Sequence, residues 1–493
     1  MKTLKILICF VSILFFQFLY AQENKIDNNL IFSIDGEDIE ESSMKDFPID
    51  EAEHNSNTKF IPNGPIIIKN VTRNMKTPGY WISKIKNPDK EILTKKQIAE
   101  KNEELFKDLI YLNNIENFSE NIKTNALRKQ QKQIFKMFYY RKYYIDNSFK
   151  QISKEYIKDI YDNIKIPKSK TLKPKYAITV NYSDIRLLPS DTNFLYDETT
   201  YDIDRAQVAS LDLGTPVIAI LSTKDKKWTY VVTYASEGWI KTKDLAFTTK
   251  ESFSNWINEQ NFVIVTNSKT DIYTNKEMTK YYDYVRMSTK LPVLKTINKD
   301  IVCVKIPKAT NKGNLIFEKA YIYSCDINKG YLKYTQRNVL QQAFKHINSP
   351  YSWGGYDGEQ DCSTFIRQVF GCFGLILPRN SLAQIKSGNK QIDLKKNLSD
   401  LEKSKEIIAK ATPAISLLYL PGHIMLYVGN ENNDTPYIIH AIWGTENAIN
   451  KKEKVVGFIN KVIISSLHIG EDTSKTSLLK RIKKVNTLTL RKK

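Results

Sequence analysis

Cysteine is scarce, at five in 493 residues, and only Cys303, Cys325, Cys362 and Cys372 lie beyond the amino-terminal apolar run. So few thiols in so long a chain exclude a disulfide framework. Cys303 and Cys325 both fall in strand-like runs, so a single bridge between them stays open. Histidine is equally rare, also five, and the His and Cys spacings form no closed zinc set. Beyond residue 19 no stretch is long and apolar enough to cross a membrane. The formal net charge is +20, yet no nucleic-acid-binding motif accompanies it, so nucleic acid is not expected as a partner.

The chain does have length for three or four domains and many aromatic side chains to bury. Residues 1–21 read as a secretory signal: Lys2 and Lys5, an apolar core over 6–19, and Ala21 for cleavage. No cysteine follows that core, so a lipid anchor is not expected. The mature protein is expected to be exported, to the periplasm, the cell wall or beyond. Residues 22–60 are acidic and aperiodic, as in a disordered leader. The basic residues are spread along the chain. They fit either Lys-rich composition or attraction to an anionic wall or membrane surface.

One stretch, residues 349–384, carries a reactive-looking cysteine. Gly354 and Gly355 and an acidic loop lead to Cys362. Beyond it Phe365, Ile366, Val369, Phe370 and Phe373 recur at helical steps, and Gly374 ends the run. Cys362 therefore sits at a helix start, where the exposed N–H groups favour thiolate over thiol. Two histidines follow in strand-like runs, His423 in HIMLYVG and His440 in YIIH. Adjacent antiparallel strands would set His423 against Cys362 and let His440 orient the imidazole. Taken singly, each of the three could be an ordinary core residue. Together, in this order, they point to catalysis.

These pieces resemble the NlpC (p-sixty) family of papain-like peptidoglycan endopeptidases. The resemblance rests on Tyr351-Ser352-Trp353-Gly354-Gly355, Asp361-Cys362-Ser363, Gly422-His423-Ile424 and His440. It implies Cys362 as nucleophile, His423 as base, His440 as third polar residue, and Tyr351 with the Cys362 N–H as oxyanion site. It also implies that Trp353, Ser363, Asn380, Ser381 and Gly422 touch substrate. No metal or other cofactor is implied. Thr364 stands where many members have Gly.

Around this core, residues 61–170 read as a helical segment, opened by a capping box at Thr94 and Gln97. Residues 175–248 resemble a bacterial SH3-like barrel, on IRLLPSDT, DLGTPVIAIL, KWTYV and EGWIKTKDL. Residues 260–334 repeat the strand texture as a second, more divergent barrel. Residues 335–470 form the papain-like domain, with a last strand near 462–467, and 471–493 a basic tail. The expected fold class is therefore α+β: a papain-like NlpC-type catalytic domain preceded by two SH3-like β-barrels and a helical N-terminal segment. The short join at 335 implies that the second barrel packs on the catalytic domain. The resemblance implies cleavage of the D-γ-glutamyl–diamino acid amide in peptidoglycan stem peptides. In some relatives an acidic residue follows the Pro-Arg pair and meets a free ammonium. Here Asn380 follows Pro378-Arg379, which suits stems still attached to the wall. The alternatives are an inactive wall-binding protein and a papain-like amidase or acyltransferase on another substrate.

Overall fold

The computed structural model describes residues 59–63 and 68–490, with short gaps at 109–110, 146–147, 149, 197–201, 390, 396, 451–452 and 474–475. Of residues 446–456 it describes backbone only, as it does of 59–63. The expected signal, and the expected leader as far as residue 58, lie outside the described residues. Among the described residues no helix is long and apolar enough to cross a membrane.

Three sheets organise the chain. The first has seven strands on its main path, running from Lys175–Thr179 to Leu245–Thr248, with Ile164–Lys165 paired off that path. Counted along the chain, its strands lie in the spatial order third, second, sixth, fifth, fourth, first, seventh. The second sheet, from Phe262–Val265 to Ile327–Lys329, has the same spatial order. The first sheet's core is Val217, Val231 and Ile240 on one side and Tyr230, Trp239 and Trp228 on the other. The second packs Val263, Ile272, Val285, Leu291 and Val304. Strands with alternating burial, such as Gln207–Leu211, follow from the period of two in the sequence.

The third sheet has seven strands, and against it lies the helix Cys362–Gly371, which buries Phe365, Ile366, Val369 and Phe370. Its central strands are Ser416–Leu420, His423–Glu431, Thr435–Asn450 and Glu453–Ser466. The last two form a hairpin far longer than the strand expected near 462–467. Its outer edge is covered by Lys59–Asn63, paired parallel to Glu453–Ser466. The expected leader therefore ends in a strand, because that edge offers unpaired backbone groups.

The amino-terminal region has the helices Lys95–Asp108, Thr124–Tyr139 and Lys154–Asp162, together with short strand pairs. The capping box forms: the Thr94 N–H donates to Gln97 Oε1 at 2.9 Å and the Gln97 N–H to Thr94 Oγ1 at 3.3 Å. The first part of this region does not stand apart. Trp81, Leu93, Ile98 and Leu105 are buried in one core with Phe365, Leu417 and Leu426. The expected basic tail is likewise part of the fold. Lys484–Thr487 pairs antiparallel with Ser416–Leu420, burying Val485 beside Leu418. Its charge disguises a strand whose two central residues, Val485 and Asn486, are both buried. Cys303 and Cys325 are both free, Cys303 buried and Cys325 exposed.

The first two sheets both press on the catalytic-like domain, the first on the loop before Cys362. Gly354 and Gly355 have φ of 70° and 74°, where a side chain is strained. A Cβ on Gly354 would come within 2.4 Å of Gln207 Cγ, and one on Gly355 within 2.6 Å of Ser210 Oγ. The Tyr182 hydroxyl donates to the Gly355 carbonyl at 2.9 Å. The second sheet reaches the same domain: Lys345 Nζ donates to the Thr266 carbonyl at 2.8 Å, and the His346 ring meets Met287 Sδ at 3.2 Å. That agrees with the short join. Gly354→Ala should lower the thermal unfolding midpoint, since positive φ alone costs about 1–2 kcal/mol and the clash adds to it. Gly79→Ala, where nothing lies within 4 Å of the new methyl, should be neutral or stabilising. Equal midpoints for the two variants would contradict the close approach.

Candidate active site

The helix Cys362–Gly371 starts where it does because Asp361 caps it. The Thr364 N–H donates to Asp361 Oδ1 at 2.8 Å. The same carboxylate accepts from Ser363 Oγ at 3.0 Å, the Gly354 N–H at 3.2 Å and both terminal nitrogens of Arg379, the nearer at 2.5 Å. Burial opposes its charge, but the Arg379 guanidinium and these bonds outweigh it and hold Asp361 below the ordinary carboxylate range. The sequence marked Arg379 only as half of the Pro-Arg pair before Asn380. Its pairing with Asp361, eighteen positions away, carries no local signal.

Cys362 is the first helical residue, 8% exposed. Its thiol is pushed up to about 12, by burial first and then by the Asp361 carboxylate, against help from the Ile424 N–H and Arg379. The helix start alone therefore does not make a resting thiolate, as the sequence led one to expect. The partial charge of a helix terminus is smaller than the cost of desolvation beside a carboxylate.

His423 and His440 come from adjacent antiparallel strands. His423 Nε2 and His440 Nδ1 are 2.7 Å apart, and His440 Nε2 lies 3.2 Å from Ser465 Oγ. His440 is fully buried. Burial lowers His423 to about 3, with the Arg481 cation adding to it. Burial and its histidine neighbour hold His440 well below its ordinary value. Both rings are neutral near pH 7. A consistent set of tautomers follows. His423 Nε2–H donates to His440 Nδ1, His440 Nε2–H donates to Ser465 Oγ, and His423 Nδ1 is left with its lone pair. Among the described residues no hydrogen bond joins Cys362 to His423 in this resting structure. Ser465 and Arg481 were not foreseen, since each is read only once the sheet is assembled.

Tyr351 stays a protonated donor, because burial, with the Cys362, Asp361 and Asp202 groups nearby, raises its phenol well above its ordinary value. Trp353 opens the loop Trp353–Gly358, and its Nε1 is buried without a partner. Gly422, at φ 85°, makes the turn that delivers His423. Ser363 and Ser381 are buried, the former bonded to Asp361 and Arg379. Asn380 caps the helix Ser381–Ile385, accepting from the Ala383 N–H at 2.8 Å.

The first barrel contributes two residues here that the sequence did not single out, Asp202 and Arg205. Asp202 accepts from the Trp443 indole at 2.7 Å through Oδ2, while its Oδ1 is buried with no partner. Burial raises this carboxyl above its ordinary value. Arg205 lies over Tyr196 at 4.2 Å and over Trp353 at 5.8 Å. The loop carrying both is held by Asp204, which accepts from the Phe194 and Ala206 N–H groups, each at 2.9 Å, and pairs with buried Arg186 at 2.7 Å. Among the described residues no cluster of His, Cys, Asp or Glu could hold a metal ion.

Residues 348–454 match the model of the NlpC/P60 family. The chain carries an NlpC/P60 domain. Residues 193–241 match the model of an SH3 domain of SH3b1 type, which falls within the first sheet. The fold resembles that of an NlpC/P60 endopeptidase from Photobacterium damselae subsp. piscicida, with TM-score 0.71 and 21% identity, covering 89% of this chain and 100% of that one. An NlpC/P60 family protein from Bacillus cereus gives TM-score 0.43 and 16% identity, over 63% of this chain and 98% of that one. In sequence the chain is 26% identical over 263 residues to dipeptidyl-peptidase 6 of Lysinibacillus sphaericus, or 51% of this chain and 87% of that protein. The NlpC/P60 family is one of cysteine peptidases and peptidoglycan hydrolases.

A neutral His423 has a testable consequence. An imidazole held near 3 is able to accept a proton far below pH 6.5. The acid limb of kcat/KM should therefore fall between about pH 3 and 6, below the ordinary imidazole value. A limb at or above pH 6.5 would mean that His423 works in a solvated setting.

Proposed function

We propose that the protein is an exported cysteine endopeptidase that cleaves the D-γ-glutamyl–diamino acid amide of peptidoglycan stem peptides. The observation that carries this reading is the hydrogen bond of 2.7 Å between His423 Nε2 and His440 Nδ1, on strands beside the helix that begins with Cys362. With the His423 Nε2–H donating in that bond, Nδ1 is the basic nitrogen of His423.

In the proposed mechanism the Cys362 thiol proton passes to His423 Nδ1 as Sγ attacks the scissile carbonyl carbon. The tetrahedral oxyanion takes hydrogen bonds from the Tyr351 hydroxyl and the Cys362 N–H. The C–N bond then breaks, and His423 returns its proton to the leaving amine. Water attacks the resulting thioester with His423 as base, releasing the glutamyl carboxylate and restoring the thiol. His440 orients His423 throughout, and Ser465 Oγ lies within hydrogen-bond reach of the other ring nitrogen of His440. The second sheet shares the strand order of the matched SH3-type sheet, which supports reading it as a second SH3-like barrel. The basic surface suits an anionic wall or membrane surface.

Digesting purified sacculi and identifying the fragments by mass spectrometry tests the bond cleaved. Cys362→Ala should abolish release, and His423→Ala nearly so. His440→Asn, whose Oδ1 can stand in for Nδ1 as acceptor, should keep measurable activity. Equal loss at His423 and His440 would give His440 a direct role.

Two side chains bear on the form of the substrate. Asn380 cannot neutralise an ammonium, which suits wall-attached stems, although its helix cap already accounts for its oxygen. Asp202, with one buried oxygen unpartnered, favours a second reading in which the stem's free amino terminus is held there. Both Asp and Asn cap helices, so Asn380→Asp isolates charge from folding. If Asn380 selects, Asn380→Asp should shift preference toward free tri- or tetrapeptides by about 1–3 kcal/mol. If Asp202 selects, wild type already prefers free peptides and Asp202→Asn should abolish that preference.

A further inference from the structure

The first barrel presents one cation that its own fold does not use. Arg205 is only 7% exposed. Its guanidinium carbon lies 4.2 Å from the centre of the Tyr196 ring and 5.8 Å from that of Trp353. Tyr196 is itself fixed. It stacks on buried Tyr143 with ring centres 5.3 Å apart, and its hydroxyl accepts from Arg141 at 2.9 Å. The head group is therefore placed by two rings, one from the barrel and one from the domain that carries Cys362. Its Nε is buried with no partner, and among the described residues no hydrogen bond or ion pair reaches its terminal nitrogens.

The acids next to it in the chain do not serve it. Asp204 is turned to the Phe194 and Ala206 N–H groups and to Arg186. Asp202 gives one oxygen to the Trp443 indole, and its other oxygen meets no donor. Contact with ring faces returns less than the desolvation of a cation costs. The Trp353 Nε1–H is a second buried donor without a partner, on the ring that Arg205 faces. Two unused donors thus stand together, one from each domain. They stand beside the reaction centre. Gly354, the residue after Trp353, donates its N–H at 3.2 Å to Asp361, the residue before Cys362.

We propose that Arg205, together with the Trp353 indole N–H, binds a carboxylate of the substrate and selects for it. A guanidinium presents a planar fork of donors that matches the two oxygens of a carboxylate. The indole N–H adds one donor more. A carboxamide in the same place offers a single acceptor oxygen and turns an NH2 group toward donors. Arg205 is thus a specificity-determining residue that separates stems with a free carboxylate from stems amidated there. The inference rests on the reading that stem peptides are the substrate. Such a stem has carboxylates on both sides of the scissile amide. One is the α-carboxylate of the D-glutamyl residue on the acyl side, the other a free carboxylate of the diamino acid on the leaving side. Recognition has the same chemistry for either, and the choice of substrates tells them apart.

The test is kcat/KM of the whole chain on soluble stem tripeptides, glycan-linked and free, supplied in pairs of acid and amide. One pair differs at the glutamyl α-carboxyl, the other at the carboxyl of the diamino acid. Wild type should cleave the acid of one pair about 10- to 100-fold better than its amide, the range of a charge-assisted hydrogen bond. The pair that shows the difference identifies the carboxylate. Arg205→Leu should bring that ratio close to one. General damage to the fold lowers both members of a pair together, so a fall in the ratio reports the contact itself. Arg205→Lys keeps the charge but loses the fork. Its ratio should fall part of the way, which serves as the test if the leucine variant does not fold. Trp353→Phe keeps a ring for Arg205 and removes only the N–H, and should lower the ratio by a smaller factor. Ratios near one for both pairs in wild type, or a ratio unchanged by the Arg205 variants, would overturn the inference and leave the proposed bond cleavage standing. No cleavage of any of these peptides would overturn the proposed function, and this inference with it.

Discussion

The Asp361 carboxylate is the constraint on which the site depends. One buried group caps the catalytic helix, holds the Gly354 N–H, and pairs with Arg379 from the turn beyond that helix. Three segments that must meet at Cys362 are thereby fixed by a single charge. Its hydrogen bonds leave no lone pair facing solvent, which is what makes the burial of a carboxylate tolerable. Removing one partner would strand the charge, so the cap, the glycine loop and the Pro-Arg turn form one unit.

That choice has an electrostatic consequence. A carboxylate next to the nucleophile raises the thiol, and the Arg379 pairing offsets it only in part. The resting Cys362–His423 pair is neutral. In the proposed mechanism, charge separation waits until a carbonyl carbon arrives to accept the sulfur. The Tyr351 phenol, kept protonated by burial, and the helix-start N–H are then in place for the oxygen. On the proposed mechanism, these donors would favour the transition state rather than the free thiolate.

The arrangement of Cys362, His423 and His440 was legible in the sequence because each signal is local. A helical period follows Cys362, and a strand alternation surrounds each histidine. The first barrel was legible through its turns and short apolar runs. What was not legible rests on distance along the chain. Ser465 reaches His440 only through the pairing of Thr435–Asn450 with Glu453–Ser466. The strand Lys484–Thr487 hides behind basic charge, and the segment around Trp81 looked like part of a separate helical region. Trp81 in fact packs on Gly429, 3.1 Å from where a Cβ would stand, so a strand glycine and a helix tryptophan explain each other. The expectation of a resting thiolate failed for a related reason. Sequence shows the helix start but not the depth of burial.

The glycine pair before the nucleophile has a structural meaning beyond the motif. Gly354 and Gly355 let Gln207, Ser210 and Tyr182 of the first barrel rest on the loop's backbone. That contact brings the Asp202 and Arg205 segment up against Trp443 and Trp353. A binding module that merely tethered the enzyme to a surface would have no need of so close a fit. Here the barrel's own side chains pack against Trp443 and Trp353 of the catalytic-like domain, and the loop that leads to Cys362 is shaped by the barrel. The shape of the loop before Cys362 is therefore set by the fit between the two domains.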